Sequence, residues 1–136
     1  MVNYLAVFVA AIAAFVVGAL WYGPLFGKPW RSLMGVPEGM MGMPGTRLSP
    51  VAAMAINFLA TLVLAYVLSG LLSLLNGVTP GMTLQVALLV WLGFVAPIIL
   101  NTVLFEGRSI KFYLINTGAQ LVQLLAMALV YGWWPW

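Results

Sequence analysis

Four unbroken apolar stretches, residues 4–22, 51–75, 82–105 and 110–131, constrain this chain more than any other feature: each is long enough to cross a membrane and none carries a charge in its middle. A helix rises about 1.5 Å per residue, so about 20 residues cross a hydrocarbon core of roughly 30 Å. Strands of a membrane barrel would alternate polar and apolar residues over about ten positions, and these stretches do not. Because lipid offers no hydrogen bonds to the backbone, helices are the reading that remains. Composition agrees, since 65% of the 136 residues are hydrophobic and 5% are charged, too few charges to cover a soluble domain. The expected fold is all-α: a polytopic membrane protein, one domain over residues 1–136, with four transmembrane helices arranged as two antiparallel hairpins.

The connections are unequal. Residues 24–50 form the one long loop, and Pro29 and Gly35 would bracket a short interfacial helix at its start. The remainder of that loop is rich in Gly, Pro and Met and reads as irregular. Asn76-Gly77-Val78-Thr79-Pro80-Gly81 is a tight uncharged turn, and Glu106-Gly107-Arg108-Ser109 is shorter still. Ala11-Ile12-Ala13 looks like a signal-peptide cleavage site, but no Lys or Arg precedes it and the apolar run continues to Trp21 and Tyr22, so the first helix is expected to be retained.

Orientation follows from the five cations. Lys28, Arg31 and Arg47 lie in the first loop, Arg108 and Lys111 flank the third, and the second connection has none. Cytoplasmic loops carry the excess of Lys and Arg, so loops 24–50 and 106–109 are expected in the cytoplasm and both termini outside. Tyr4 and the run Tyr131-Gly132-Trp133-Trp134-Pro135-Trp136 would form an outer aromatic belt, with Trp21, Tyr22 and Trp30 as its inner counterpart. So complete a bias argues against a dual-topology dimer of the fluoride-channel or multidrug kind, which needs near-balanced charge on its two faces.

Helices in lipid associate through close approach of small residues and through interhelical hydrogen bonds. Ala6, Ala10, Ala14 and Gly18 supply the first device at four-residue spacing. Ala53, Asn57, Thr61, Ala65, Ser69 and Ser73 repeat it with polar content, and Asn57 and Thr61 are the members expected to face a neighbour. The fourth stretch has the densest polar face, Tyr113, Asn116, Gln120 and Gln123, followed by Met127. Pro97 should kink the third by freeing the Gly93 carbonyl, leaving Asn101 and Thr102 to fill the gap. The plain reading of Asn57, Asn101, Tyr113, Asn116, Gln120 and Gln123 is that they tie the bundle together; the sharper one is an intramembrane polar path or ligand site.

The chemistry available is sparse. With no Cys and no His, disulfides, thiolate metal sites and the usual proton shuttle are excluded. The two acids, Glu38 and Glu106, do not pair with another carboxylate, and Glu106 is expected to form an interfacial ion pair with Arg108, Lys111, Lys28 or Arg31. Met40, Met41 and Met43 are weak candidates for Cu(I), since thioethers suit it, but an adaptable apolar loop is the stronger reading. No phosphate loop, nucleophile elbow or dinucleotide fingerprint is present, and the cations form no basic stripe for nucleic acid. No cofactor and no enzymatic activity are expected.

Trp21-Tyr22-Gly23-Pro24-Leu25-Phe26-Gly27-Lys28-Pro29-Trp30 and Leu104-Phe105-Glu106-Gly107-Arg108, with Phe112 and Ile115-Asn116 behind it, resemble a bacterial membrane family catalogued as a domain of unknown function. The resemblance covers nearly the whole chain. It implies four spans and a bacterial inner-membrane setting, marks Trp21, Tyr22, Pro24, Gly27, Lys28, Trp30, Glu106, Gly107, Arg108 and Asn116 as positions to test, and implies no activity. The Met-rich stretch lies outside its pattern. Leu25-Phe26-Gly27-Lys28 also echoes Leu104-Phe105-Glu106-Gly107-Arg108, as two parallel hairpin repeats would.

Together these features point to a non-enzymatic membrane protein that acts through helix contacts, with lipids, a second copy or other membrane subunits as partners. The alternative is a small oligomeric channel or transporter with a polar path along the fourth helix. Lys28, Trp30, Arg31, Glu106, Arg108 and Lys111 form the candidate functional cluster.

Overall fold

Why the chain turns where it does is written in its caps. The computed structural model describes residues 3–34, 50–75 and 79–135, nearly all helical and none in a strand. Helix α1 (Tyr4–Leu20) starts at Asn3, whose side-chain oxygen accepts the Ala6 N–H at 3.1 Å. It continues into a wider π turn, Trp21–Leu25, where the Phe26 N–H reaches back to the Trp21 carbonyl at 2.8 Å. Pro24 sits inside that turn, and its missing N–H is one reason the ordinary ladder breaks there. A short α2 (Gly27–Met34) follows. A short helix is thus present where Pro29 led to the expectation of one; Gly35, its expected stop, lies outside the described residues.

Helix α3 (Pro50–Ser73) forms the second span. The third is compound: α4 (Pro80–Val90), a second π turn (Trp91–Val95), α5 (Ala96–Ile99) and α6 (Asn101–Leu104). The last is α7 (Ile110–Trp133). Four stretches are long and apolar enough to cross a membrane: Tyr4–Leu25, Val51–Ser73, Pro80–Leu104 and Ile110–Trp133. The third begins two residues before the expected boundary, because Thr79 caps it by accepting the Met82 N–H at 3.2 Å and Pro80 takes the first-turn position, where no N–H is needed. Ser109 caps α7 likewise, accepting from Phe112 at 3.1 Å.

The first and fourth spans form the central pair. The second span packs on the first and the third on the fourth, while the second and third barely meet. The small face of α1 is spent on this central pairing: Ala6, Ala10 and Ala14 are fully buried, and Gly18 is buried as well. An aromatic seam joins α1 to α3, with Phe15 edge-on to Phe58 at 5.5 Å and Tyr4 stacked on Tyr66 at 6.4 Å. On the other side the Thr83 hydroxyl lies 2.8 Å from the Ala128 carbonyl and 2.9 Å from its own Pro80 carbonyl, cross-linking α4 to α7.

The main buried apolar cluster occupies one half of the bundle, while Ala96, Phe112, Ile115 and Ala119 are buried toward the charged-loop end. The members of the main cluster, among them Ala10, Ala14, Leu68, Leu72, Ala87, Met127 and Tyr131, all lie in the half nearest the uncharged second connection. In the other half the second span leaves the bundle. Leu68 and Thr61 are buried, yet Asn57, eleven residues before Leu68 and thus within about 20° of the same helix face, is exposed, and Met54, two turns before Thr61, is 54% exposed. Asn57 therefore does not pack against a neighbour as expected. Thr61 is buried, but its hydroxyl donates to the Asn57 carbonyl of its own helix at 2.8 Å and makes no cross-link.

Tyr131 departs from the expected outer belt. It is fully buried and donates to the Ala65 carbonyl at 2.6 Å, because eleven residues after Gln120 it falls on the inward face of α7. Tyr4 and Trp133, by contrast, are 73% and 65% exposed.

Candidate functional site

At the charged-loop end, the motif Trp21 to Trp30 folds on itself. Trp21 packs on Phe26 with ring centroids 4.4 Å apart, and Tyr22 meets Trp30 edge-on at 5.5 Å. Gly27 is buried so closely that a Cβ there would lie 2.6 Å from the Tyr22 carbonyl oxygen. The motif then reaches across to α7. The Trp21 indole N–H donates to the Ile115 carbonyl at 2.9 Å, and the Tyr22 hydroxyl donates to the Asn116 side-chain oxygen at 2.8 Å.

From the third span Trp91 makes the matching contact, its indole N–H donating to the Thr117 carbonyl at 2.7 Å. Two tryptophans, each opening a π turn, thus grip α7 two residues apart. The second π turn precedes Pro97, and Asn101 and Thr102 do not fill the gap expected at the Gly93 carbonyl. Tyr113 donates to the Ala96 carbonyl at 2.9 Å, Thr102 bonds the Ile99 carbonyl of its own turn at 2.8 Å, and Asn101 is exposed. Trp91 was no sequence candidate. A Trp at mid-span, two residues before a Gly and six before a Pro, is the signal that could have found it.

The polar face of α7 is used unevenly. Tyr113 serves the third span and Asn116 the first, while Gln123 donates to the Ala14 carbonyl at 3.2 Å. Gln120, between them, makes no hydrogen bond to a described residue and is half-buried. It stands on the face that is sealed at Leu124, Met127 and Tyr131, but at its own depth α3 has moved away. Phe112, Asn116 and Gln120 follow one another at four-residue spacing along α7, and Arg108, just before the helix, sits over the first of them. The Arg108 guanidinium lies over the Phe112 ring, 5.2 Å from its centroid.

Glu106-Gly107-Arg108 is a turn device. Gly107 takes φ +72°, and the Arg108 N–H closes the turn on the Thr102 carbonyl at 3.0 Å. The echoing stretch at Leu25 instead runs into α2, so the two echoes do different structural work. Glu106 is exposed, and among the described residues no ion pair joins it to Lys28, Arg108 or Lys111; the side chain of Arg31, the other expected partner, lies outside the described residues. Lys28 and Lys111 are exposed, and Arg31 is placed on α2 by its backbone alone. Of the candidate cluster, the structure links Trp30, through Tyr22 and Asn116, to α7; it brings neither Lys28 nor Lys111 to Glu106. Met40, Met41 and Met43 lie outside the described residues. Among the described residues no group of His, Cys, Asp or Glu could hold a metal ion.

Four apolar spans, all helical and joined through hydrogen bonds between helix faces, define a multi-pass membrane protein. The chain belongs to the family described as "Protein of unknown function (DUF1761)", whose model matches residues 5–132. No curated protein and no solved structure matches it.

Proposed function

We propose that this is a non-enzymatic membrane protein that works through helix contacts, as a homo-oligomer or an accessory subunit of a membrane complex. The unequal burial of the spans carries the reading. One third (33%) of the first and of the fourth span is buried within the chain, against 17% of the second and 11% of the third. The outer face of α3, with Leu59 60%, Val63 63% and Val67 51% exposed, is large enough to receive a partner helix. The small face of α1 supports no such contact, since the fourth span already covers it. The setting that fits is a bacterial inner membrane, with the charged loops in the cytoplasm and both termini outside.

Because the chain has no Cys, a single Val67→Cys gives a clean cross-linking probe. Disulfide formation with a second copy, or a discrete heavier complex by native mass spectrometry, is the expected result. A strict monomer with no partner overturns the reading.

A small channel or transporter remains the second reading, favoured by Asn57, Asn116 and Gln120 in the charged-loop half. The core of Ala6, Ala10, Leu68, Met127 and Tyr131 blocks the other half, so a path needs oligomerisation or a rearrangement of the spans. Liposome flux unchanged by Gln120→Leu and Asn116→Leu sinks it.

A further inference from the structure

Where the second span leaves the bundle, the charged-loop half presents an exposed amide at Asn57, half-buried amides at Asn116 and Gln120, and a half-buried cation, Arg108, at its end. We infer that this half holds one anionic phospholipid, with the phosphate on the Arg108 guanidinium, the glycerol esters against the Asn116 amide and one acyl chain between the second and third spans.

Three observations carry this. Arg108 is half-buried, held over Phe112, and has no carboxylate partner among the described residues, and its planar fork of N–H donors matches a phosphate. Asn116 accepts from Tyr22 through Oδ1, and its amide N–H groups have no described partner. It sits six residues into the span, about 9 Å below the start of α7, at a depth that esters below a surface phosphate reach. The face of α3 that is buried at Thr61 and Leu68 is uncovered at Met54 and Asn57, which leaves room for an acyl chain beside a second amide. Positive charge on α2 at the same end adds to the preference for an anionic headgroup.

The test is native mass spectrometry of the intact protein from micelles holding equimolar phosphatidylglycerol and phosphatidylcholine. One retained phosphatidylglycerol per chain is expected, and Arg108→Gln should lower its preference over phosphatidylcholine about fivefold. Lys111→Gln is the matched control. It removes the same charge at the same end, but Lys111 lies nine residues before Gln120, on the opposite face of α7. Equal losses in the two variants mean diffuse surface attraction and overturn the proposal, as does indifferent retention of both lipids. Should Arg108→Gln fail to fold by circular dichroism, Asn116→Leu with Arg108 intact reads the same site: unchanged retention overturns the proposal. A second protein copy in place of the lipid overturns it too.

Discussion

The Gln123 amide nitrogen donates to the Ala14 carbonyl at 3.2 Å through the space that Gly18, one turn further along α1, leaves empty. A Cβ on Gly18 would collide with that nitrogen. The obstructing atom is the end of a flexible side chain, so Gly18→Ala should be tolerated with loss of the hydrogen bond, at about 1 kcal/mol. Gly18→Leu must separate the helices and should cost about 3 kcal/mol or more. Unfolding in detergent reads both. In a Gln123→Ala background the Gly18→Ala penalty should nearly vanish, and a penalty that persists there would place the strain elsewhere.

Trp21 and Trp91 should act as a pair on α7. Phe in place of either keeps most of the ring but removes the indole N–H, at about 0.6 kcal/mol each for a hydrogen bond within the membrane. Accepting carbonyls two residues apart on one helix are close enough to couple, so the double variant should lose less than the sum, each single change having already weakened the other grip. Strict additivity in detergent unfolding would show that the two grips are independent.

Gly107 should tolerate replacement poorly although nothing crowds it. With φ +72° and no atom within 4 Å of a would-be Cβ, the penalty of Gly107→Ala is conformational alone, about 1 to 2 kcal/mol. Gly23, with equally open space in the first π turn but no positive φ, is the control: Gly23→Ala should cost less than Gly107→Ala. Thermal melting of the two variants side by side distinguishes backbone strain from any general intolerance at this end of the molecule.

The spans were legible in the sequence because length and lipid leave one solution, and the α1 small face because Ala and Gly at four-residue spacing have one use. What escaped were features set by a neighbour. Asn57 and Thr61 share a pattern, but whether either is covered depends on where α3 leaves the bundle. Trp21 and Tyr22 read as interfacial anchors because an aromatic at a span end usually is one, and their contacts to Ile115 and Asn116 need the π turn to aim them. Sequence proximity suggests pairing of Glu106 with its near neighbour Arg108, yet a turn built on Gly107 leaves Arg108 over Phe112 instead.

Ser69 offers a test in which the sign itself is the prediction. It is 2% exposed, and its hydroxyl is the buried side-chain polar atom without a hydrogen-bond partner among the described residues. Its natural acceptor, four residues back, is the Ala65 carbonyl, which takes the Tyr131 hydroxyl at 2.6 Å. A buried hydroxyl without a partner costs about 1 to 3 kcal/mol, so Ser69→Ala should stabilise the protein, by about 1 kcal/mol. Tyr131→Phe vacates the Ala65 carbonyl, and the serine can then bond it. In that background Ser69→Ala should destabilise by about 0.6 kcal/mol, a reversal of sign that only competition for one carbonyl produces. If Ser69→Ala has the same sign in both backgrounds, the two hydroxyls do not compete, and the serine has a partner other than Ala65.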